Sequence, residues 1–100
     1  MGKSFQETLK EHLRITVLRL LDEQADYSLN ESLINDLSTG FGFNPSRDRL
    51  RTELAWLEEQ GLVENDDMGG LIVATLTQRG ADVATGRVTV PGVKRPNPRH

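Results

Sequence analysis

The chain has 100 residues, the length of one domain, and its 36% hydrophobic and 27% charged content fits a folded globular chain rather than a disordered one. Folding at this size hides roughly two thirds of the extended surface, enough for one small core and too little for a large multi-domain enzyme. There is no cysteine, which excludes disulfide stapling, thiolate catalysis and cysteine-based zinc sites.

No apolar run approaches the roughly 18 residues that span a bilayer. The amino-terminal MGKSFQETLKEHLR has no apolar core of the signal-peptide kind. The expectation is a soluble, intracellular protein with no membrane partner. The net charge of −3 argues against a general coating of polyanions but leaves room for local basic patches. Two exist. Arg47, Arg49 and Arg51 cluster around Asp48, and residues 87–100 carry Arg87, Lys94, Arg95 and Arg99 without one acid.

Phe5, Leu9, Leu13, Val17 and Leu20 recur at helical spacing and predict a helix over residues 5–24. Ile15, Leu18 and Leu21 widen its stripe, so the carboxy-terminal half is apolar nearly all round and belongs in a core. The stripe of Phe5, Leu9 and Leu13 extends past what three helices need, which points to a homodimer contact. Ser28-Leu29-Asn30-Glu31 has the spacing of a capping box with Ser28 as N-cap and Glu31 reaching back. Leu29, Leu33, Ile34 and Leu37 then form the inward face of a second helix ending near Gly40. Phe41 and Phe43, in the Gly-rich connector, plug the core. No lysine or preceding strand makes that connector a phosphate loop.

Asn44-Pro45-Ser46 starts a third helix, RDRLRTELAWLEEQ, whose buried stripe is Leu50, Leu54 and Leu57. Trp56 flanks the stripe as packing. Arg47, Asp48, Arg51, Thr52, Ala55 and Glu59 face away. Leu62–Glu64 and Leu71–Leu76, joined by Asn65–Gly70, predict a hairpin. Thr77 caps a short last helix stopped by Gly86, and RVTVPGVKRPNPRH follows as an extended or flexible tail.

Three helices, a hairpin and a short closing helix make an α+β, mostly α, winged helix-turn-helix over residues 1–86, followed by a basic, proline-containing tail over 87–100. In that arrangement the first helix and the hairpin cover the back of the helix-turn-helix pair. The polar face of the third helix is left exposed, and an α-helix fits the DNA major groove.

The stretch SRDRLRTELAWLEEQGLV (46–63) resembles the recognition-helix segment of bacterial ArsR- and MarR-type winged-helix regulators, and LTQRG (76–80) is similar to their lead into the closing helix. The whole chain further resembles small uncharacterised winged-helix proteins of Mu-like phages and prophages, through YSLNESL, RTELAWLEEQGLV, GGLIVATLTQRG and VPGVKRP. The resemblance implies a phage or prophage protein in a bacterial host's cytoplasm that binds double-stranded DNA as a transcription regulator.

The DNA-contacting positions it implies are Ser46, Arg47, Asp48, Arg51 and Thr52, with Arg49 flanking. Lys94, Arg95 and Arg99 can serve as a basic arm along the backbone. The competing reading pairs the three arginines with Asp48, Glu53 and acids of the first helix, and makes the chain a protein–protein interaction module without DNA binding. Asp66 and Asp67 make the hairpin acidic, where DNA-binding wings commonly offer lysine or arginine. The ArsR metal site has no cysteines here, and His12 and His100 have no ligands at metal-binding spacing, so neither metal nor cofactor follows. No nucleophile–base pair is visible, the serines reading as caps and turns, and no enzyme is expected.

Overall fold

The computed structural model describes residues 2–97. Its elements are α1 (Phe5–Asp22), β1 (Ser28–Asn30), α2 (Glu31–Thr39), α3 (Arg47–Glu59), β2 (Val63–Met68), β3 (Leu71–Leu76) and α4 (Gln78–Ala84). The strands form one antiparallel sheet in the order β1-β3-β2. This is the winged helix-turn-helix expected from the sequence, an α+β fold in which β2 and β3 are the wing.

Helix starts follow their capping residues. Ser4 accepts from the Glu7 amide at 3.1 Å, Ser46 from Arg49 at 3.0 Å and Thr77 from Gly80 at 3.0 Å. The predicted cap at Ser28 is corrected. Ser28–Asn30 pair with Val73–Thr75 as a strand, and Asn30 caps α2 by accepting from the Leu33 amide at 2.9 Å. That later start sets the rotation of α2. Its inward positions are Glu31, Ile34 and Ser38, while Leu33 and Leu37, expected inside, are exposed.

The core joins Val17, Leu18 and Leu21 of α1 to Ile34, to Leu50, Leu54 and Leu57 of α3, and to Leu62, Val63, Ala74 and Val83. The predicted stripe of α3 is therefore its buried face. Leu13 belongs to this core at 6% exposure, whereas Phe5 is 73% and Leu9 38% exposed. The fold accordingly leaves only the first two of the three expected dimer residues on the surface. Phe43 packs against the core, but Phe41 is exposed.

The wing turns on two residues, Gly69 and Gly70, at φ of 68° and 91°. A two-residue hairpin turn of this hand needs positive φ at both positions, which glycine adopts without strain. Asn65–Met68, expected in the loop, consequently belong to β2. The segment after residue 86 is not a free arm. Val90 is buried, Val88 and Val93 pack on the core, and the Lys94 amide donates to the Glu11 carbonyl at 3.2 Å. Three valines bury apolar surface that the three prolines, read alone, do not suggest. Arg99 and His100 lie outside the described residues.

Candidate nucleic-acid interface

α3 reaches the surface through its first two turns. Arg47, Asp48 and Thr52 are exposed together with Ala55 and Glu59 one and two turns on. The Arg47 side chain is 59% exposed and its Nη2 donates to Ser32 Oγ at 3.3 Å. Thr52 Oγ1 donates to the Asp48 carbonyl at 3.1 Å. Asp48 sits in the first turn, where a carboxylate complements the positive end of the helix dipole. Asn35 ties α2 to the turn before α3 by donating to the Pro45 carbonyl at 2.8 Å.

The angle between α2, α3 and the wing is fixed by one buried carboxylate. Glu31 is 1% exposed. Arg51 donates to it twice, Nε to Oε1 at 2.7 Å and Nη2 to Oε2 at 2.8 Å, and the Ile72 amide of β3 donates to Oε2 at 2.6 Å. Arg51 Nη2 also reaches the Gly70 carbonyl at the wing tip, at 2.7 Å. The paired Arg51 guanidinium lowers the Glu31 pKa to about 2, overriding burial, which raises it; the Ile72 amide and the charge of Arg47 lower it further. Arg51 is in turn raised above its ordinary value by Glu31. The capping-box spacing predicts a capping role for Glu31, which the structure replaces with this clamp; its visible signal is an acid at the inward spacing 31, 34, 38.

A second buried carboxylate, Glu53, holds the flank of α3. Arg14 Nε donates to its Oε1 at 2.6 Å, and Arg49 Nε lies 3.5 Å from Oε2. The Arg14 guanidinium stacks 3.8 Å from the centroid of the Trp56 ring and donates to the Gly92 carbonyl at 2.9 Å. The Arg49–Glu53 pair is legible at i, i+4 spacing, whereas Arg14, 39 residues before Glu53, carries no local signal of it.

The predicted positions thus divide. Ser46 caps α3; Arg47, Asp48 and Thr52 face solvent; Arg49 leans on Glu53; Arg51 is engaged by Glu31 and the wing. Of the tail, Gly92 meets Arg14 beside Trp56 on the flank of α3, while among the described residues Lys94 and Arg95 make no hydrogen bond or ion pair to the predicted positions. Lys94 Nζ bonds the Arg95 carbonyl and Asn97, and Arg95 lines a cleft with Arg19 and Asp22 of α1 and Thr85 and Gly86 after α4. On the wing, Glu64, Asp66 and Asp67 are exposed, and Asp67 accepts from the Gly70 amide at 2.7 Å. Among the described residues there is no cluster of metal-binding side chains, and no helix is long and apolar enough to cross a membrane.

No protein-family model matches the chain. Among solved structures, RosR of H. salinarum superposes with a TM-score of 0.63 at 24% identity, over 73% of this chain and 66% of that one. The C30AH42A mutant of Lactococcus lactis ZitR gives 0.57 at 20% identity, over 75% and 48%. The chain therefore spans just under two thirds of RosR and about half of ZitR, and the likeness is one of fold. Among curated sequences, an uncharacterised protein of Haemophilus influenzae is 48% identical over 77 residues, 76% of this chain and 74% of its own length. The uncharacterised protein gp26 of Escherichia phage Mu is 45% identical over 93 residues, 93% of this chain and 96% of the Mu protein. With a fold placed by the solved structures and nearly the whole Mu sequence matched, the chain belongs to the family of phage Mu gp26.

Proposed function

We propose that this chain is a phage or prophage transcription regulator of ArsR/MarR-like build, working as a homodimer in the bacterial host's cytoplasm and binding double-stranded DNA through the amino-terminal half of α3. The observation that carries the reading is the solvent face of Arg47, Asp48 and Thr52, presented on a helix whose angle is set from behind by Glu31, Arg51 and the wing tip. An arginine there can bond guanine or a phosphate, the Thr52 methyl can meet thymine, and Asp48 can accept from a cytosine amine. Arg51 serves this reading as a positioning residue, because two of its donors already have partners. Asp66 and Asp67 keep the wing off the phosphates, which concentrates the contact on α3 and its flank. Lys94 and Arg95, which follow α4 and pack toward α1, are not required for this contact. The protein acts by binding, without catalysis or a cofactor.

Arg47→Ala tests this assignment. Duplex affinity falls, and the slope of log K against log salt concentration shrinks by about one unit for the lost phosphate contact. An unchanged slope removes Arg47 from the interface. A second reading, a protein–protein module, is favoured by one observation: Leu33, Leu37 and Phe41, four residues apart, are exposed along one flank of α2 and the turn after it. Under that reading Leu37→Ser abolishes partner capture and leaves duplex affinity unchanged.

A further inference from the structure

We propose that the cleft between the amino-terminal half of α1 and the α2–α3 turn is a binding site for a small amphipathic carboxylate, a compound with one anionic head and a short apolar body. The cleft has a volume of about 280 Å³. Its apolar walls are Leu9 and Leu13 of α1 and Phe43 and Pro45 of the turn, and Lys10 and Arg49 stand at its rim. No aspartate or glutamate lines it.

The charge at the rim is in surplus. Arg49 has Glu53 as its carboxylate partner at 3.5 Å, but Glu53 is held more closely by Arg14 at 2.6 Å, so two guanidiniums share one negative charge. Lys10 makes no ion pair among the described residues. An anion at this rim gains two cations beside a low-dielectric wall, where their attraction is screened less than in bulk water. The apolar walls add a second requirement. Inorganic phosphate leaves Leu9 and Phe43 uncovered, and a neutral hydrocarbon leaves the cations unanswered. A carboxylate with an apolar tail of about five to seven carbons satisfies both, in a volume at the small end of ligand pockets. This inference rests on the geometry of the cleft and not on DNA binding.

Hexanoate is the probe, titrated into the ¹⁵N-labelled full chain with hexanol and inorganic phosphate as partners lacking the charge or the tail. The site predicts saturable amide shifts confined to residues 9–13 and 42–49, with a dissociation constant on the order of 1 mM for so few heavy atoms. Lys10→Met and Arg49→Met, both at half-buried positions, each weaken hexanoate about five- to tenfold, and hexanol binds as weakly as hexanoate does to those variants. Four results overturn the proposal: no saturable shifts; equal binding of hexanol or of phosphate; affinity unchanged in both variants; or shifts in this region that follow protein concentration and ignore hexanoate, which assigns the cleft to a second copy of the chain.

Discussion

Replacing Glu31 by glutamine strikes the junction of α2, α3 and the wing. The wild-type carboxylate accepts three hydrogen bonds, two from Arg51 and one from Ile72, at 2.6 to 2.8 Å. Its pKa falls from an ordinary 4.5 to about 2, chiefly through Arg51. At roughly 1.4 kcal/mol per unit that shift is worth at most about 3.5 kcal/mol. Arg47 and Arg51 are open to water on their outer side, which screens part of it, so about 1–2 kcal/mol is expected.

Because the folded value lies below the unfolded one, this stabilisation is complete above about pH 5 and disappears as the pH falls toward 2. Glutamine keeps the volume but turns an amide donor toward two guanidiniums. At neutral pH the variant loses about 2–4 kcal/mol, somewhat less than breaking a fully enclosed pair. Urea unfolding of both proteins, followed through Trp56 fluorescence and circular dichroism, measures the gap. It narrows by about 1–2 kcal/mol between about pH 5 and pH 3. A gap constant over that range refutes the assignment of Glu31 as an ionised clamp.

Three further outcomes follow from packing. In Gly80→Ala the new methyl group collides with the Leu62 carbonyl and lies 2.6 Å from Leu76 Cδ1, costing about 1–3 kcal/mol or more and lowering Tm by several degrees. Gly92 has φ +95°, and a Cβ there meets the Trp56 ring at 2.8 Å. Gly92→Ala therefore loosens residues 87–97, and limited proteolysis cuts this segment sooner than in the wild type; an unchanged digestion pattern contradicts the packed placement. Phe5→Glu, on the exposed start of α1 and outside the cleft lined by Leu9, leaves folding intact and gives a monomer by sedimentation. A wild type already monomeric at tens of micromolar, the order-of-magnitude range for weak dimers, refutes the dimer.

Where local chemistry decided the structure, the sequence was sufficient. Leu50, Leu54 and Leu57 repeat at helical spacing behind a capping Ser46, and they are the buried face of α3. The hairpin lies where two β-prone runs place it, although its turn is Gly69-Gly70 alone and not the whole of Asn65–Gly70. What escaped was decided by distant partners. Ser28–Asn30 becomes a strand because β3, more than forty residues on, offers it an edge. That pairing shifts the start of α2, turns Glu31 inward and leaves Leu33 and Leu37 outside. The same holds for the site. Arg47 and Thr52 are exposed on helical periodicity alone, whereas the restraint on Arg51 depends on Glu31 and Gly70, twenty and nineteen residues away. Residues 87–97 read as extended or flexible because proline content outweighs Val88, Val90 and Val93, whose burial depends on a core built by residues far away in the chain.

The most direct test of DNA binding is an anisotropy titration of a labelled random-sequence duplex with the full chain at about 50 and 200 mM salt. Non-specific binding requires no operator. DNA binding predicts a dissociation constant at or below about 10⁻⁴–10⁻⁶ M that weakens steeply with added salt as condensed counterions are released. No binding at the lower salt concentration contradicts it, and would leave the acidic wing and the exposed flank of α2 as the features that define the partner.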